Sequence, residues 1–373
     1  MRILHADTDD LDNPLHGGQP VRTYEINSRL AARHDITVFT AVYKGCRRRL
    51  EREGVKYRRL GFRLPPFGLS PHLSFLAALG PAVRRAPHDL AVEEFTPPVG
   101  FCLLPRWTQK PVVSIVQWFF FQEWHARYHL PFERWMRSLA ARNQQLYRRF
   151  IVQTGAMQRE FQAMFPQAQV RKIPCGVSDE LFRLEPARGD YALYLGRLAP
   201  GKGLDLLLDA WRDGCAARGI PLVIAGAGPE LGRLARRTAD EGLSQSVRFV
   251  GWVSGQDKLN LLQQCRFKVL PSRSETLGLT ALEALAAGKP VLAFNIPNLD
   301  EIVRPPWGAL APAFEAGQLG KLACELWAQP EHCAEMGRQA REFANSFRWD
   351  ALAKEQEAFY LEAVREQEVA PAI

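Results

Sequence analysis

Short apolar runs recur along the chain, separated by stretches long enough to hold a helix. Arg2–Ala6, Ile36–Thr40, Val55–Arg59, Leu90–Glu94, Val112–Val116, Phe150–Thr154 and Val170–Pro174 read as one set of strands. Tyr191–Gly196, Leu222–Gly226, Val247–Gly251, Phe267–Leu270, Val291–Phe294 and Ala309–Pro312 read as a second set. Helices are predicted over Val21–Ala32 and Leu204–Ala217, from an opening near Gly278, and from about Trp349 to Glu366. Strands alternating with helices predict an α/β fold with parallel, helix-covered sheets. The pattern restarts around Ile173–Val177, which sets two domains, 1–172 and 173–348.

A length of 373 residues suits two domains of ordinary size. No apolar run has membrane-span length, and the uncharged segment Leu64–Val83 is interrupted by Pro65, Pro66, Pro71 and Pro81. The N-terminal MRILHAD enters a strand directly, without a signal-peptide pattern. Seven scattered cysteines with no CxxC pair argue for a reducing, cytoplasmic setting and against a structural zinc site. The net charge of +8 is uneven: residues 1–175 carry 26 Lys and Arg against 14 Asp and Glu, residues 176–373 carry 22 against 26. A basic first half predicts an anionic partner there, such as a membrane surface, or else a merely solvated basic face. Nucleic acid is disfavoured, since no basic helix or zinc-finger spacing appears.

The densest candidate chemistry lies in Phe267–Val291, FKVLPSRSETLGLTALEALAAGKPV. A strand, a polar loop and a helix opening at Gly278 follow one another, with Glu275 before the helix and Glu283 inside it, seven residues between them. Backbone N–H groups of Leu277, Gly278 and Leu279 lie at the turn, and such a helix start attracts phosphate through free donors and the positive end of the helix dipole. A carboxylate one or two turns in can accept both hydroxyls of a ribose. Taken alone, the stretch is equally an ordinary strand–loop–helix with surface glutamates. A second element, YLGRLAPGKG, places Arg197 and Lys202 after a strand, where ligands sit in open α/β sheets. Two cations beside a glycine-rich turn suit a diphosphate.

Two signals in the first half are weaker. Strand, glycine loop (His16-Gly17-Gly18-Gln19), helix and strand give the order of a phosphate-binding βαβ unit, but GxGxxG is absent and a plain turn fits as well. Between Gln117 and Phe150 aromatics such as Trp118, Phe120 and Trp124 alternate with arginines such as Arg127, Arg134 and Arg137. This is either an acceptor-binding or membrane-facing surface or a helix with a buried aromatic face. His125 and His129 have chelating spacing but lack a carboxylate companion.

Together these landmarks resemble glycosyltransferase family 4 along nearly the whole chain. His16-Gly17-Gly18 is similar to its N-terminal glycine loop, IPCGVSDELF (173–182) to its interdomain stretch and GRLAPGKG to its Gly-Arg…Lys-Gly element. LVIAGAGPE (222–230) and VRFVGWV (247–253) resemble its next two strands, and SETLGLTALEALAAGKPV its Glu-x7-Glu signature. FRWDALAKEQEAFY resembles a terminal helix, 349–366, that packs back onto the first domain. The resemblance implies the GT-B architecture, two Rossmann-like doubly wound domains facing across a cleft. It implies a retaining glycosyltransferase using a UDP- or GDP-type sugar donor, with no required cofactor or metal. The acceptor would be a glycan, a lipid-linked glycan or a small molecule, at the cytoplasmic face of a membrane or in solution.

Carried over residue by residue, the resemblance has Arg197 and Lys202 neutralise the donor diphosphate and Glu283 accept the ribose hydroxyls. Glu275, with the N–H groups of Leu277, Gly278 and Leu279, holds the transferred sugar and distal phosphate. Gly17 and Gly18 admit phosphate or acceptor, and Val253 contacts the base through its backbone. Two positions depart from the family pattern. Gln117 stands where a histidine often contacts the donor sugar, and a glutamine cannot titrate near neutrality. Ile296-Pro297-Asn298-Leu299-Asp300-Glu301 replaces the usual Gly-Gly before a glutamate. The competing expectations are a sugar-nucleotide epimerase or phosphorylase-like enzyme on the same architecture, and a non-catalytic nucleotide-sugar-binding relative.

Overall fold

The computed structural model describes residues 1–13, 18–64, 70–95, 103–116, 138, 142, 145–185 and 187–369. The chain divides into two compact units, Met1–Cys175 with Trp349–Ile373, and Gly176–Arg348. Each is built on its own sheet.

The first unit carries β1 (Arg2–Ala6), β2 (Asp35–Ala41), β3 (Arg49–Arg52), β4 (Val55–Leu60), β5 (Leu90–Phe95), β6 (Val112–Val116), β7 (Arg149–Val152) and β8 (Gln169–Lys172). Their order is β3-β4-β2-β1-β5-β6-β7-β8, with β3 antiparallel to β4 and every other pairing parallel. Strands such as β6 and β7 are nearly all buried, as parallel strands covered on both faces must be. The core around β7 is aromatic: Phe150 packs on Phe161 and Phe165 with ring centroids 5.2 and 4.5 Å apart. Trp349–Val369 lies on the helix Gln19–Leu30, where buried Arg22 donates to Gln356 Oε1 at 2.7 Å and to the Ile173 carbonyl at 3.3 Å. That pairing satisfies part of a buried guanidinium which would otherwise be costly to hold.

The second unit carries β9 (Tyr191–Leu195), β10 (Leu222–Ala225), β11 (Val247–Gly251), β12 (Cys265–Leu270), β13 (Val291–Phe294) and β14 (Gly308–Ala311). All pair in parallel, in the order β11-β10-β9-β12-β13-β14. This is the doubly wound 3-2-1-4-5-6 order, and its direction reverses between β9 and β12. In such sheets ligands sit beyond the carboxyl ends of the strands at the reversal. The loops there are the two sequence elements singled out above, GRLAPGKG and PSRSETLG.

Two expectations need correction. The helix predicted over Leu204–Ala217 is α-helical only to Ala210, then widens into a π-turn at Trp211–Cys215 and tightens into a 3-10 turn at Ala216–Arg218. Trp211 is fully buried with its indole N–H on the Ile220 carbonyl at 3.0 Å. Gly320 of the helix Ala316–Ala328 presses so close that a Cβ there would lie 2.7 Å from the Ala210 carbonyl oxygen. An extra residue per turn accommodates both constraints at that point. The other correction is β3, which the apolar pattern does not show. As an edge strand with no fully buried position, RLER has no apolar face to betray it.

Candidate functional site

Chain geometry brings the two loops of the second unit together through backbone contacts. After β9, a 3-10 turn at Pro200–Lys202 ends on Gly203, which adopts the left-handed φ of +65°. A Cβ on Gly203 would lie 2.0 Å from the Pro271 carbonyl oxygen, so only glycine lets this loop rest on the one after β12. The Arg273 N–H closes the contact by donating to the Gly201 carbonyl at 2.9 Å. The Tyr194 hydroxyl donates to the Arg197 carbonyl at 2.9 Å and fixes the start of the turn.

The side chains this juxtaposition assembles are those of a small ionic site. Lys202 Nζ meets Glu275 Oε1 at 2.6 Å, and Ser272 Oγ, itself buried, donates to the same oxygen at 2.7 Å. Arg197 is exposed at the top of β9. Asn298, with φ +71°, donates its side-chain amide to the Glu275 carbonyl at 3.1 Å. The loop 296–301 is therefore tied to the Glu275 turn rather than merely adjacent in sequence.

The helix Leu279–Ala286 starts at Gly278, whose φ is +77° and ψ +50°. No side chain caps this helix start, so its first N–H groups are left at the open end. A Cβ on Gly278 would meet Leu299 Cδ1 at 2.8 Å. Leu277 is buried and anchors the turn, while Leu279 is half-exposed. One turn on, Glu283 Oε1 accepts from Lys258 Nζ at 2.5 Å, and Glu283 Oε2 is buried with no hydrogen-bond partner among the described residues. A buried acceptor without a donor is costly, and a ligand hydroxyl relieves it. Beneath this helix lies Lys268, in the middle of β12 and fully buried. Its ammonium donates to Thr280 Oγ1 at 2.8 Å and to the Leu195 carbonyl at 3.1 Å. Burial pushes its pKa down to about 7 against the opposing pull of Glu283 and Glu275. Lys258 and Lys268 are additions to the sequence reading, whereas Asn298 belongs to the loop already set apart there. Of the two lysines, Lys268 alone left a signal, a lysine inside an apolar run.

Val253 follows Gly251 and the largely exposed Trp252 at the end of β11. In the first unit, β1 ends at the reversal of its own sheet, between β2 and β5. There Asp7 is fully buried, accepting from Gln19 Nε2 at 2.6 Å and from Thr23 Oγ1 at 2.7 Å. Burial and the nearby Glu94 charge push Asp7 up to about 7. These bonds hold the start of the helix Gln19–Leu30 against β1, with Gly18 exposed at its N-terminal end. Gly17, His16, Gln117, His125, His129 and most of the aromatic–arginine stretch lie outside the described residues. Among those described, no group of three or more His, Cys, Asp or Glu side chains is placed to hold a metal ion. No described helix is long and apolar enough to cross a membrane.

Two family models match in tandem: one described as Glycosyltransferase Family 4 over residues 16–181, the other as Glycosyl transferases group 1 over residues 182–343. An uncharacterized glycosyltransferase of Methanocaldococcus jannaschii is 31% identical over 178 residues, which are 47% of this chain and 48% of that protein. A GDP-mannose-dependent alpha-(1-6)-phosphatidylinositol monomannoside mannosyltransferase of Mycobacterium tuberculosis is 32% identical over 214 residues, 51% of this chain and 55% of that protein. The chain thus spans about half the length of the curated relatives it matches. Among solved structures, HepE of Anabaena in complex with UDP and glucose superposes with a TM-score of 0.72 at 20% identity, covering 97% of this chain and 99% of that one. The chain belongs to glycosyltransferase family 4, with two Rossmann-like units of the GT-B type.

Proposed function

We propose that this protein is a glycosyltransferase enzyme that moves a sugar from a UDP- or GDP-type donor to a glycan, lipid-linked or small-molecule acceptor, with retention at the anomeric carbon. One observation carries the reading. At the reversal point of the second sheet stand cations, a left-handed glycine helix start and a carboxylate with an unpartnered buried oxygen. Diphosphate, distal phosphate and ribose each find their complement there. Arg197 and Lys202 neutralise the diphosphate, and the N–H groups at Leu277, Gly278 and Leu279 receive its distal oxygens. Glu275 leaves its pairing with Lys202 to hold the sugar, and Glu283 takes the ribose hydroxyls. These groups stand in for a divalent ion, so activity should survive a chelator. The acceptor proton passes to the leaving phosphate, and no protein nucleophile is assigned. Val253 meets the base, and Gly17, Gly18 and Gln117 serve donor and acceptor from the first unit.

The relatives' names support a nucleotide-sugar donor: one is GDP-mannose-dependent, and another was solved with UDP and glucose. An anionic membrane surface as acceptor location is supported by the edge hairpin β3–β4. Arg49 and Arg58 lie directly opposite each other there and both are exposed, next to exposed Arg47, Arg48 and Arg63 and the apolar tips Phe62 and Leu64. Like charges directly across a hairpin repel unless an anion lies over them. The setting proposed is cytoplasmic, at the membrane's inner face. Thermal shift against UDP-, GDP-, ADP- and TDP-sugars tests the donor, and NMR of the product anomer tests retention. Stabilisation by none of these donors would contradict the reading.

A further inference from the structure

The buried lysine of β12 has no part in the donor contacts set out above, yet it sits at their centre. Lys268 is fully enclosed, and its ammonium ties the end of β9, through the Leu195 carbonyl, to the first turn of the helix Leu279–Ala286, through Thr280 Oγ1. These are the two elements that carry Arg197 and Lys202 on one side and Gly278 and Glu283 on the other. The charged groups that face it are few. Glu283 faces it from the helix, Glu275 from the loop after β12, Lys202 from the loop after β9 and the Cys265 thiol from its own strand. Lys258, from the helix Gly255–Gln264, is engaged on Glu283. Strand β13 contributes only Val291, Leu292, Ala293 and Phe294.

Resting on the donor-site reading, we propose that Lys268 is a buried positioning cation that takes up a proton when the nucleoside diphosphate binds, so that donor affinity is coupled to pH. Without ligand, desolvation holds the ammonium near its titration point, at about 7. A bound diphosphate brings negative charge over Lys202 and the helix start while excluding water. The anion favours the charged lysine, and because the side chain is already buried, displacing the remaining water chiefly strengthens that attraction across a low-dielectric layer. The proton comes from solvent, and no bond other than N–H forms. The same charging tightens the Leu195 and Thr280 hydrogen bonds, which are stronger when the donor is ionised. Binding therefore draws the two donor-holding loops onto a common anchor.

Calorimetric titration of the full chain with UDP-glucose and with GDP-mannose, in buffers of different ionisation enthalpy, tests this directly. These sugar nucleotides are chosen because their diphosphate diester exchanges no proton near neutrality. The wild-type protein should take up close to one proton at about pH 8, and its Kd should weaken by up to about tenfold per pH unit as pH rises through the window above 7. Lys268→Met, which keeps the length of the buried side chain, should show no uptake and a Kd flat with pH, weaker than wild type by roughly tenfold at about pH 6.5. A merely structural tether would change affinity without changing the proton count. Binding with the same proton count in wild type and Lys268→Met, or no uptake by the wild type, would overturn the proposal alone. Binding of neither probe would overturn the donor-site reading and this proposal with it.

Discussion

Both sheets reverse direction at a central pair of strands, and the described side chains at the two reversal points carry opposite chemistry. In the first unit the groups at the end of β1 are buried acids held by polar neighbours: Asp7 by Gln19 and Thr23, with Glu94 at 3.3 Å from His5 Nε2. In the second unit they are lysines, an exposed arginine and a glutamate with a vacant acceptor oxygen. The overall charges do not follow this: the first unit carries 28 basic against 20 acidic residues, and the second 20 against 20. Net charge is a property of a unit's whole surface, whereas the few side chains at a reversal point set the chemistry there. One topology thus carries buried acids in one unit and lysines beside a carboxylate with an unpartnered oxygen in the other.

The cations of the second unit should be indispensable. Arg197→Ala and Lys202→Ala should each lower turnover at least roughly a hundredfold, since one lost contact to a leaving group costs about 3–4 kcal/mol of barrier. Near-normal rates for both variants would remove the electrostatic argument. Glu283→Gln should weaken sugar-nucleotide binding by roughly tenfold or more, read by calorimetry, because a hydrogen bond to a charged acceptor is worth about 1.5–3 kcal/mol. Its melting temperature should change little, which separates lost binding from lost fold.

The buried acids of the first unit should respond to pH. Asp7 and Glu93 are both buried carboxyls pushed up to about 7, Asp7 by burial and Glu94, Glu93 by burial. Above the unfolded carboxyl range the folded protein holds these protons more tightly, so they favour the folded state at low pH. That contribution is lost as pH rises from about 4 through about 7, by up to a few kcal/mol for each group. Asp7→Asn should flatten about half of this slope in melting temperature measured from about pH 5 to pH 8. An unchanged slope would mean that Asp7 is ionised throughout. The smallest effect is expected at the hairpin, where Arg58→Glu should reduce sedimentation with anionic vesicles severalfold at low salt and leave sugar-nucleotide affinity unchanged.

Much of this arrangement was legible from the chain. Val112–Val116 and Val291–Phe294 have the ends expected of them, because parallel strands buried on both faces are continuous apolar runs bounded by polar loops. The helix opening at Gly278 was legible for the same reason, with glycine marking the left-handed turn. What escaped depends on contacts made far along the chain. The π-turn at Trp211 answers to Gly320, more than a hundred residues away. Lys258 is one lysine on an amphipathic helix, and only the fold brings it to Glu283. Asn298 stood in a loop marked as unusual, but its bond to the Glu275 carbonyl needs a backbone conformation that sequence does not announce.

Hydrogen–deuterium exchange of the full chain with and without UDP-glucose or GDP-mannose tests the placement of the donor most directly. The account predicts that at least one of the two protects peptides covering 196–203 and 272–285, and that the protection fades in Lys202→Ala. Protection confined to other segments, or none with either compound, would contradict it.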